Sequence, residues 1–313
     1  MHSETFLKAL QDGLTRPKKT LSPKWFYDAE GSALFEQITR LEAYYPTRQE
    51  KQLLRAIAPE LCARVPEGAV LVEYGSGASE KTRILLDACP QIGTYVPIDI
   101  SETMLNEAAD AIADDYPALR VEPLVGDFLS PIDLPSDIAH LPHIGFFPGS
   151  TIGNLEQDEA VSFLAAARET LRSESGGDGS TQLILGVDRV KDEATLIRAY
   201  DDDLGVTARF NRNVLARANR ELGLNFDLSG FAHRALWNAE HERIEMHLVS
   251  NCAQSVDVGG VTVRFQPGES IHTESSHKYT LERLEAMATQ ARWRVADVWT
   301  SADPAFSVAR LVA

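Results

Sequence analysis

The sequence predicts an α/β fold with a doubly wound, mostly parallel sheet, and three observations predict it. From Val70 to about Val190, strand-like and helix-like segments alternate, as in a parallel sheet with crossover helices. The first strand of this region ends in a Gly-x-Gly turn, Gly75 and Gly77, just before a helical segment. The next strands end in acidic residues, Asp99 and then Asp127. This order is typical of a nucleotide cofactor bound at the edge of such a sheet.

The segment before the sheet, from Ser3 to about Leu61, is predicted to be helical. Thr47 and Glu50 have the spacing of a capping box, which predicts that a helix begins there and continues through QEKQLLRAIAPEL. The predicted sheet region then contains, in order, VLVEYG, SEKTRILLDA, TYVPID, SETMLNEAADAIADDY, LRVEPLV, HIGFFPG, QDEAVSFLAAARETL and TQLILGVD. SESGGDGS, residues 173 to 180, is predicted to be a surface turn.

After Asp188 the pattern changes, first to a long helical stretch and then to alternating strands with Gly259 and Gly260 as a two-residue hairpin turn. Such a block does not extend a parallel sheet, so it predicts an inserted domain. A final helix and two short strands would complete the sheet as a late antiparallel hairpin. We therefore predict a second α+β domain from 1–60 and 193–276, and a sheet domain from 61–192 and 277–313.

Composition restricts the function classes. The net charge of −16 argues against a nucleic acid or an anionic membrane surface as partner. The early residues are amphipathic and polar, and no run approaches about 18 apolar residues, so we expect a cytoplasmic protein. Three cysteines far apart indicate neither a disulfide framework nor a thiolate metal site. These features are typical of a soluble enzyme of small, possibly cationic, substrates, which we expect to be a monomer.

The residues of the glycine turn favour S-adenosylmethionine over a dinucleotide. A dinucleotide fingerprint would have a third glycine where this chain has Glu80, whose carboxylate would face a pyrophosphate. S-adenosylmethionine has no phosphate, and its positive charge suits the acidic strand end near Glu73. Asp99 would then accept from the ribose hydroxyls, Asp127 would accept from the adenine amino group, and Phe128 would cover the ring. The alternative is that both aspartates serve only their own turns.

Candidate substrate groups fall into three sets. Asn154, in FFPGSTIGN, could accept from a substrate amine, or could instead cap the helix that begins near Glu156. Four tyrosines outside the sheet region could bind a carboxylate without adding charge, or could be packing residues. They are Tyr27, Tyr44, Tyr45 and Tyr200.

The third set lies in ESIHTESSHKY, which also contains two histidines. Their spacing of five, His272 to His277, fits neither a helical face nor one side of a strand, so we expect no metal site. Glu274 and Ser276 are two apart on an extended segment and would face a polar ligand together. His140 and His143 are expected in a solvated loop.

Motifs along almost the whole chain, taken together, resemble one methyltransferase family. They are WFYDAEGSALFEQI, YYPTR, VEYGSGASEKT, YVPIDIS, GFFPGSTIGN, AYDDDLGVTARFNRN, RIEMHLVS and GESIHTESSHKYT. The chain resembles the histidine-specific, S-adenosylmethionine-dependent methyltransferases that make hercynine in ergothioneine biosynthesis. The resemblance implies a class I methyltransferase (Rossmann-like) sheet and the Nα-trimethylation of L-histidine.

The resemblance also implies roles for individual residues. Cofactor contacts would come from Gly75, Lys81, Asp99, Asp127 and Phe128. Asn154 and Tyr27 would bind the substrate amino group and act at the reacting centre, while Tyr44 and Tyr200 would bind the carboxylate. Glu274 and Ser276 would bind the imidazole, with Met246 lining that side. The chain departs from the pattern at Tyr74 and Ser275, the second beside the imidazole site.

Two other functions remain open at this level. The same fold could methylate another small amino acid or amine. A regulator could bind S-adenosylmethionine without turnover, although the set Tyr44, Asn154, Tyr200 and Glu274 speaks against it.

Overall fold

The computed structural model describes residues 2–77, 80–173 and 181–313. It divides into two compact units. The first unit contains Met1–Tyr45 and Lys191–His277, and the second contains Pro46–Val190 and Lys278–Ala313. Apart from Ser173, the predicted SESGGDGS turn lies outside the described residues.

The helices are α1 (His2–Leu14), α2 (Ala29–Arg40), α3 (Tyr45–Cys62), α4 (Glu80–Ala88), α5 (Glu102–Asp115), α6 (Gln157–Thr170), α7 (Glu193–Tyr200), α8 (Val206–Leu222) and α9 (Leu281–Gln290). The strands are β1 (Lys19–Thr20), β2 (Ala69–Tyr74), β3 (Ile92–Asp99), β4 (Arg120–Val121), β5 (Leu124–Val125), β6 (His143–Phe147), β7 (Thr181–Asp188), β8 (Phe231–Asn238), β9 (Arg243–Ser250), β10 (Gln254–Val258), β11 (Val261–Phe265), β12 (Ser270–His277), β13 (Arg294–Thr300) and β14 (Phe306–Val312).

The second unit is built on one sheet with the strand order β13-β14-β7-β6-β2-β3-β4, and β5 pairs with β3. Strands β3, β2, β6 and β7 run parallel, whereas β14 is antiparallel to both β7 and β13. Strands β2, β6 and β7 are buried along their whole length, which explains why their central residues are apolar and their polar residues lie near the strand ends. The predicted class I methyltransferase fold is thus confirmed, including its late antiparallel hairpin.

Helix α3 corrects two sequence predictions. It begins at Tyr45, so Thr47 and Glu50 lie inside the helix and the predicted capping box is wrong. The chain enters the helix earlier because Pro46, with its fixed φ and no amide hydrogen, fits a first turn. Glu50 instead accepts hydrogen bonds from the backbone N–H of Gly149, with both carboxylate oxygens at 2.9 Å.

The same helix moves a domain boundary. Its apolar residues Leu54, Ile57 and Leu61 share a core with Leu71 of β2. The division between the units therefore falls at 45/46, whereas the sequence placed it at 60/61. The other divisions, at 190/191 and 277/278, lie within two residues of the expected positions.

The first unit contains a sheet of order β1-β12-β9-β8 and a separate hairpin, β10-β11. The hairpin turn is Gly259 and Gly260, with φ of 59° and 87°, as predicted from their pairing in the sequence. The expected long helical stretch is two helices, α7 and α8, separated at 201–205. Asp202 explains the break, because its carboxylate accepts from the N–H groups of Val206 and Thr207 at the start of α8.

Two expectations about local environment are settled by the fold. His143 is not in a solvated loop: it begins β6 and is buried, and its ring nitrogens lie 3.2 and 3.0 Å from the carbonyl oxygens of Leu171 and Ile138. His140 is exposed, as expected.

Among the described residues, no helix combines the length and the apolar character needed to cross a bilayer.

Candidate active site

The glycine turn after β2 provides an open backbone surface in the second unit. Gly75 has a φ of 74° and donates its N–H to the carbonyl of Ile98 at 2.9 Å, and a Cβ built on it would meet no atom of the described residues within 4 Å. This left-handed backbone conformation requires glycine at position 75, and the described residues leave the space beside it open to a ligand. Between the two glycines, Ser76 is buried, and its hydroxyl has no hydrogen-bond partner within the described part of the chain.

The acidic end of β2 is a buried, hydrogen-bonded carboxylate. Glu73 accepts from the hydroxyl of Thr82 at 2.7 Å and from the hydroxyl of Tyr95. Burial raises the pKa of Glu73 to about 7, and the nearby charge of Asp99 adds to this while that of Lys81 opposes it. Glu73, Lys81 and Asp99, three positions singled out from sequence, are therefore neighbours at one edge of the sheet.

Asp99 is the last residue of β3 and Asp127 follows β5, and these two strands pair, with Asp99 opposite Val125. The Oδ1 atom of each aspartate accepts a local N–H, from Ser101 at 2.9 Å and from Leu129 at 3.0 Å. Burial raises the pKa of Asp99 above its usual value. Each aspartate thus stabilises its own turn, as the alternative interpretation predicted. A ligand can still bind the second carboxylate oxygen of each residue.

Phe128 packs against the core of the second unit. Its ring centroid lies 5.4 Å from that of Phe147 and 5.6 Å from that of Phe163, both in edge contacts. The ring is only partly buried, so one side is held by the core and part of its surface is left for a ligand. A packing role and an adenine-covering role are compatible here.

The residues at the turn and strand ends fit S-adenosylmethionine. They provide an open backbone surface at Gly75, a buried hydroxyl at Ser76 that has no partner among the described residues, and the carboxylates of Asp99 and Asp127. A cofactor with ribose hydroxyls, amino groups and a positive sulfonium supplies the complementary donors and charge. Glu80, in the first turn of α4, would oppose a pyrophosphate but not this group.

Lys81 is held by a buried carboxylate that sequence reasoning missed. The Nζ of Lys81 lies 2.5 Å from Oε2 of Glu50, which is fully buried. Glu50 also accepts from the N–H of Gly149 and packs so closely on Gly186 that a Cβ there would lie 2.0 Å from Oε1. One carboxylate thus fixes Lys81 and the turn after β6. The only sequence signal was its T-x-x-E spacing, which also fits a helix start.

The turn after β6 determines the position of Asn154. Gly149 and Ser150 are both left-handed, with φ of 82° and 56°, and a short 3₁₀ turn, Thr151–Asn154, follows. The N-cap of α6 is Glu156, which forms a capping box with Glu159. The capping alternative for Asn154 is therefore wrong. In the part of the chain that the structure describes, its amide makes no hydrogen bond, so it is available to a ligand.

In the first unit the structure brings the predicted substrate residues together. The hydroxyl of Tyr200 lies 2.7 Å from Oγ of Ser276, and the rings of Tyr44 and Tyr200 are 6.0 Å apart in an edge contact. Met246 on β9 is the direct neighbour of Glu274 on β12. All five side chains are buried.

Tyr27 completes this group. Burial raises the pKa of its phenol well above 10, and the charge of Glu274 is the next largest cause, followed by Tyr44 and Tyr200. The ring of Tyr27, in a residue that is 37% exposed, makes an edge contact with Phe35, which in turn contacts the ring of Tyr44. We call Tyr27, Tyr44, Tyr200, Met246, Glu274 and Ser276 the tyrosine–glutamate cluster.

Local structure explains why Tyr27 lies there. The next residue, Asp28, caps α2 by accepting from the N–H of Gly31 at 2.7 Å, and it also accepts from Asn213 of α8 at 2.8 Å. A Cβ on Gly31 would lie 1.7 Å from the carbonyl oxygen of Phe26, so only glycine allows this close turn. The motif WFYDAEG therefore encodes a tight bend that presents Tyr27.

The tyrosine–glutamate cluster has one carboxylate among several hydroxyl groups. Such a set can accept from an N–H donor at Glu274 and donate to a carboxylate from the phenols. Tyr45, the fourth tyrosine considered from sequence, has another role: its hydroxyl accepts from Lys191 at 2.7 Å. The sequence grouped it with the others only because it adjoins Tyr44.

Comparison with known proteins connects this geometry to one family. The family model for histidine-specific, S-adenosylmethionine-dependent methyltransferases matches residues 6–313. A histidine N-alpha-methyltransferase of Mycolicibacterium smegmatis is 45% identical, over 97% of this chain and 92% of the relative. One of Mycobacterium tuberculosis is 44% identical, over 92% of this chain and 88% of the relative.

A more distant relative is named for a different substrate. A 4-dimethylallyltryptophan N-methyltransferase of Aspergillus fumigatus is 26% identical, over 93% of this chain and 89% of the relative. Similarity over nearly the full length therefore extends to a protein named for an indole amino acid. The preference of this chain for one substrate side chain has to be argued from its own site residues.

Proposed function

The chain belongs to the family of histidine-specific, S-adenosylmethionine-dependent methyltransferases, and from that premise we propose that it methylates the α-nitrogen of L-histidine. Three transfers would give hercynine, the first step of ergothioneine biosynthesis. The observation that supports histidine in particular is Glu274, a buried carboxylate within the tyrosine–glutamate cluster. A carboxylate there stabilises a bound side chain that has an N–H donor and disfavours an apolar side chain, which would leave the carboxylate unpaired.

S-adenosylmethionine supplies an electrophilic methyl group on its sulfonium when it is bound. We assign its binding to Gly75, Lys81, Asp99, Asp127 and Phe128. Gly75 gives close backbone access, Asp99 accepts from ribose hydroxyls, Asp127 accepts from the adenine amino group, and Phe128 covers the ring. Ser76, with its buried hydroxyl, is a further candidate contact.

We assign the substrate amino group to Asn154 and Tyr27, and its carboxylate to Tyr44 and Tyr200. Two phenol donors bind a carboxylate without bringing a cation beside the reacting amine. Glu274 and Ser276 would bind the two imidazole nitrogens, and Met246 would pack on the ring. Positioning is the main contribution of these residues, because the amine lone pair must point along the line of methyl transfer.

The amine must be neutral to react, so each transfer requires loss of a proton. Tyr27 remains a protonated phenol across the physiological range, since burial and Glu274 raise its pKa. It can therefore orient the amine by hydrogen bonding, but it does not act as a phenolate base. We propose that the proton leaves to water through the hydrogen bonds of Tyr27 and Asn154.

We further propose that the enzyme acts as a cytoplasmic monomer, without nucleic-acid or membrane partners, which the charge of −16 supports. The substrate is tested by incubating the purified chain with S-adenosylmethionine and each of the twenty amino acids, followed by mass spectrometry. Histidine should gain up to three methyl groups, and other amino acids should react weakly. Preferred methylation of another amino acid would overturn the substrate assignment, and cofactor binding without any product would favour a sensor.

A further inference from the structure

A second group of polar side chains lies on the first unit's sheet, on the face away from the tyrosine–glutamate cluster. Met246 on β9 pairs with Glu274 on β12, and both face the cluster. Because side chains alternate along a strand, the neighbours of Met246, Glu245 and His247, point to the opposite face. His272 is the direct partner of His247, and a bulge follows it before Glu274.

The three side chains on this opposite face converge. One potential ligand atom from each of Glu245, His247 and His272 lies within 4.8 Å of the other two. Oε2 of Glu245 is 3.1 Å from Nε2 of His247, close to the roughly 3.3 Å that separates two ligands bound tetrahedrally at about 2.0 Å. The side chains of Glu245 and His247 are each 14% exposed, so an ion can reach them from solvent.

We propose that Glu245, His247 and His272 form a binding site for a divalent transition-metal ion of the zinc class. Two imidazoles and one carboxylate are a ligand set that zinc uses with water in the remaining position. Neither this set nor this face of the sheet has a role in the proposed methyl transfer. The proposal therefore does not depend on the proposed function.

The surrounding hydrogen bonds orient the ligands as metal sites require. Nε2 of His272 lies 3.0 Å from the carbonyl oxygen of Glu274, so an N–H there leaves Nδ1 for the ion. Nδ1 of His247 lies 3.4 Å from Oγ of Ser270, which leaves Nε2 for the ion. Oε1 of Glu245 accepts from Arg243 at 2.8 Å, which leaves Oε2.

Two features determine the strength of the site. The imidazole rings are stacked, with centroids 4.9 Å apart and planes at 20°, so one ring must turn about its soft χ2 torsion for both nitrogens to meet one ion. The charge of Arg243 also opposes a cation, which the carboxylate of Glu245 offsets. We therefore expect reversible binding and not the closed coordination of a structural zinc site.

The test is calorimetric titration of the chelator-treated full chain with zinc chloride, with cobalt chloride absorption reporting the ligand geometry. The chain should bind one zinc ion at this site. His247→Ala and His272→Ala should each weaken that binding at least about 10-fold, and Glu245→Gln should weaken it too. The matched control is His140→Ala, which removes an exposed histidine of the second unit.

Thermal melts without metal identify any variant that fails to fold. Because the three substitutions lie at three different positions, any one folded variant suffices for the comparison. Zinc should raise the melting temperature of the unmodified chain and of His140→Ala, but not of the folded site variants. Absence of saturable binding in the unmodified chain would overturn the proposal. Equal affinity in the site variants and in His140→Ala would also overturn it.

Discussion

The hydroxyl of Tyr200 lies 2.7 Å from Oγ of Ser276. Tyr200 is the last residue of α7, and Ser276 lies on β12, so this hydrogen bond joins two elements that the sequence separates by 76 positions. We assign Tyr200 to the substrate carboxylate and Ser276 to its imidazole. If both assignments hold, the two subsites share one hydrogen-bond network, and the pocket binds the two ends of histidine cooperatively.

Substitution of Glu274 should change substrate choice. Glu274→Ala removes the carboxylate that we assign to the imidazole N–H, so kcat/KM for histidine should fall roughly 10- to 200-fold, or about 1.4 to 3 kcal/mol. The penalty on apolar side chains should also fall, which raises kcat/KM for phenylalanine and tryptophan relative to kcat/KM for histidine. Steady-state kinetics with the three amino acids measures both effects.

Glu240→Ala is the matched control, because Glu240 is an exposed carboxylate of the same unit. It should leave the histidine-to-aromatic ratio unchanged, and neither variant should change cofactor affinity. A Glu274→Ala variant with a lower melting temperature but the same substrate ratio would mean that Glu274 only supports the fold.

Asp99→Ala should weaken S-adenosylmethionine binding by about 1 to 3 kcal/mol, since two ribose hydroxyls would lose a charged acceptor. Isothermal titration calorimetry measures this directly. Its Oδ1 also accepts from Ser101, so part of any loss could come from the turn. Asp99→Asn, which retains an oxygen for that turn, should still weaken cofactor binding. Unchanged cofactor affinity in both variants would show that Asp99 does not bind the cofactor.

Glu50 should support both stability and cofactor binding. Glu50→Gln leaves Lys81 without its buried counter-ion, so the free energy of unfolding should fall by about 1 to 3 kcal/mol and cofactor affinity should fall with it. The control is Glu80→Gln, which alters a more exposed ion pair with Lys51 and should cost less than about 1 kcal/mol. Equal stability and equal affinity in the two variants would contradict the positioning role of Glu50.

Glu73 should make stability depend on pH. Its pKa is raised from 4.5 to about 7, so the folded chain holds a proton that the unfolded chain releases. This group therefore contributes stability that is fully present below about pH 4.5 and is lost as the pH rises to about 7. Urea unfolding at about pH 5 and about pH 8 should show a larger loss for the wild type than for Glu73→Gln. Parallel losses would show that Glu73 does not titrate in this range.

The sequence predicted the sheet domain well because its signals are local. The buried parallel strands have mostly apolar central residues, and the glycine turn after β2 marks the first strand of the alternating strand and helix pattern. The paired glycines at 259 and 260 identified their hairpin for the same reason. The prediction failed at α3, where the T-x-x-E spacing of Thr47 and Glu50 fits a helix start equally well, and only tertiary contacts of Glu50 show otherwise.

The sequence was sufficient to name candidate site residues, but it could not predict the contacts between them. Tyr27, Tyr200 and Glu274 are far apart in sequence, and no spacing rule brings their side chains together. The same limit explains the histidines: the spacing of His272 and His277 argued against a metal, whereas strand pairing places His272 beside His247. Pairing between distant strands is a property of the fold, which local pattern does not contain.

The most direct test of the account is the position of the transferred methyl group. Histidine and S-adenosylmethionine carrying a ¹³C-labelled methyl group are incubated with the purified chain, and the product is assigned by NMR. We expect every label on the α-nitrogen, with trimethylated product accumulating at completion. Label on a ring nitrogen would place the imidazole, and not the amino group, at the reacting centre, and would contradict the assignment of Glu274 to the imidazole and of Asn154 to the amine.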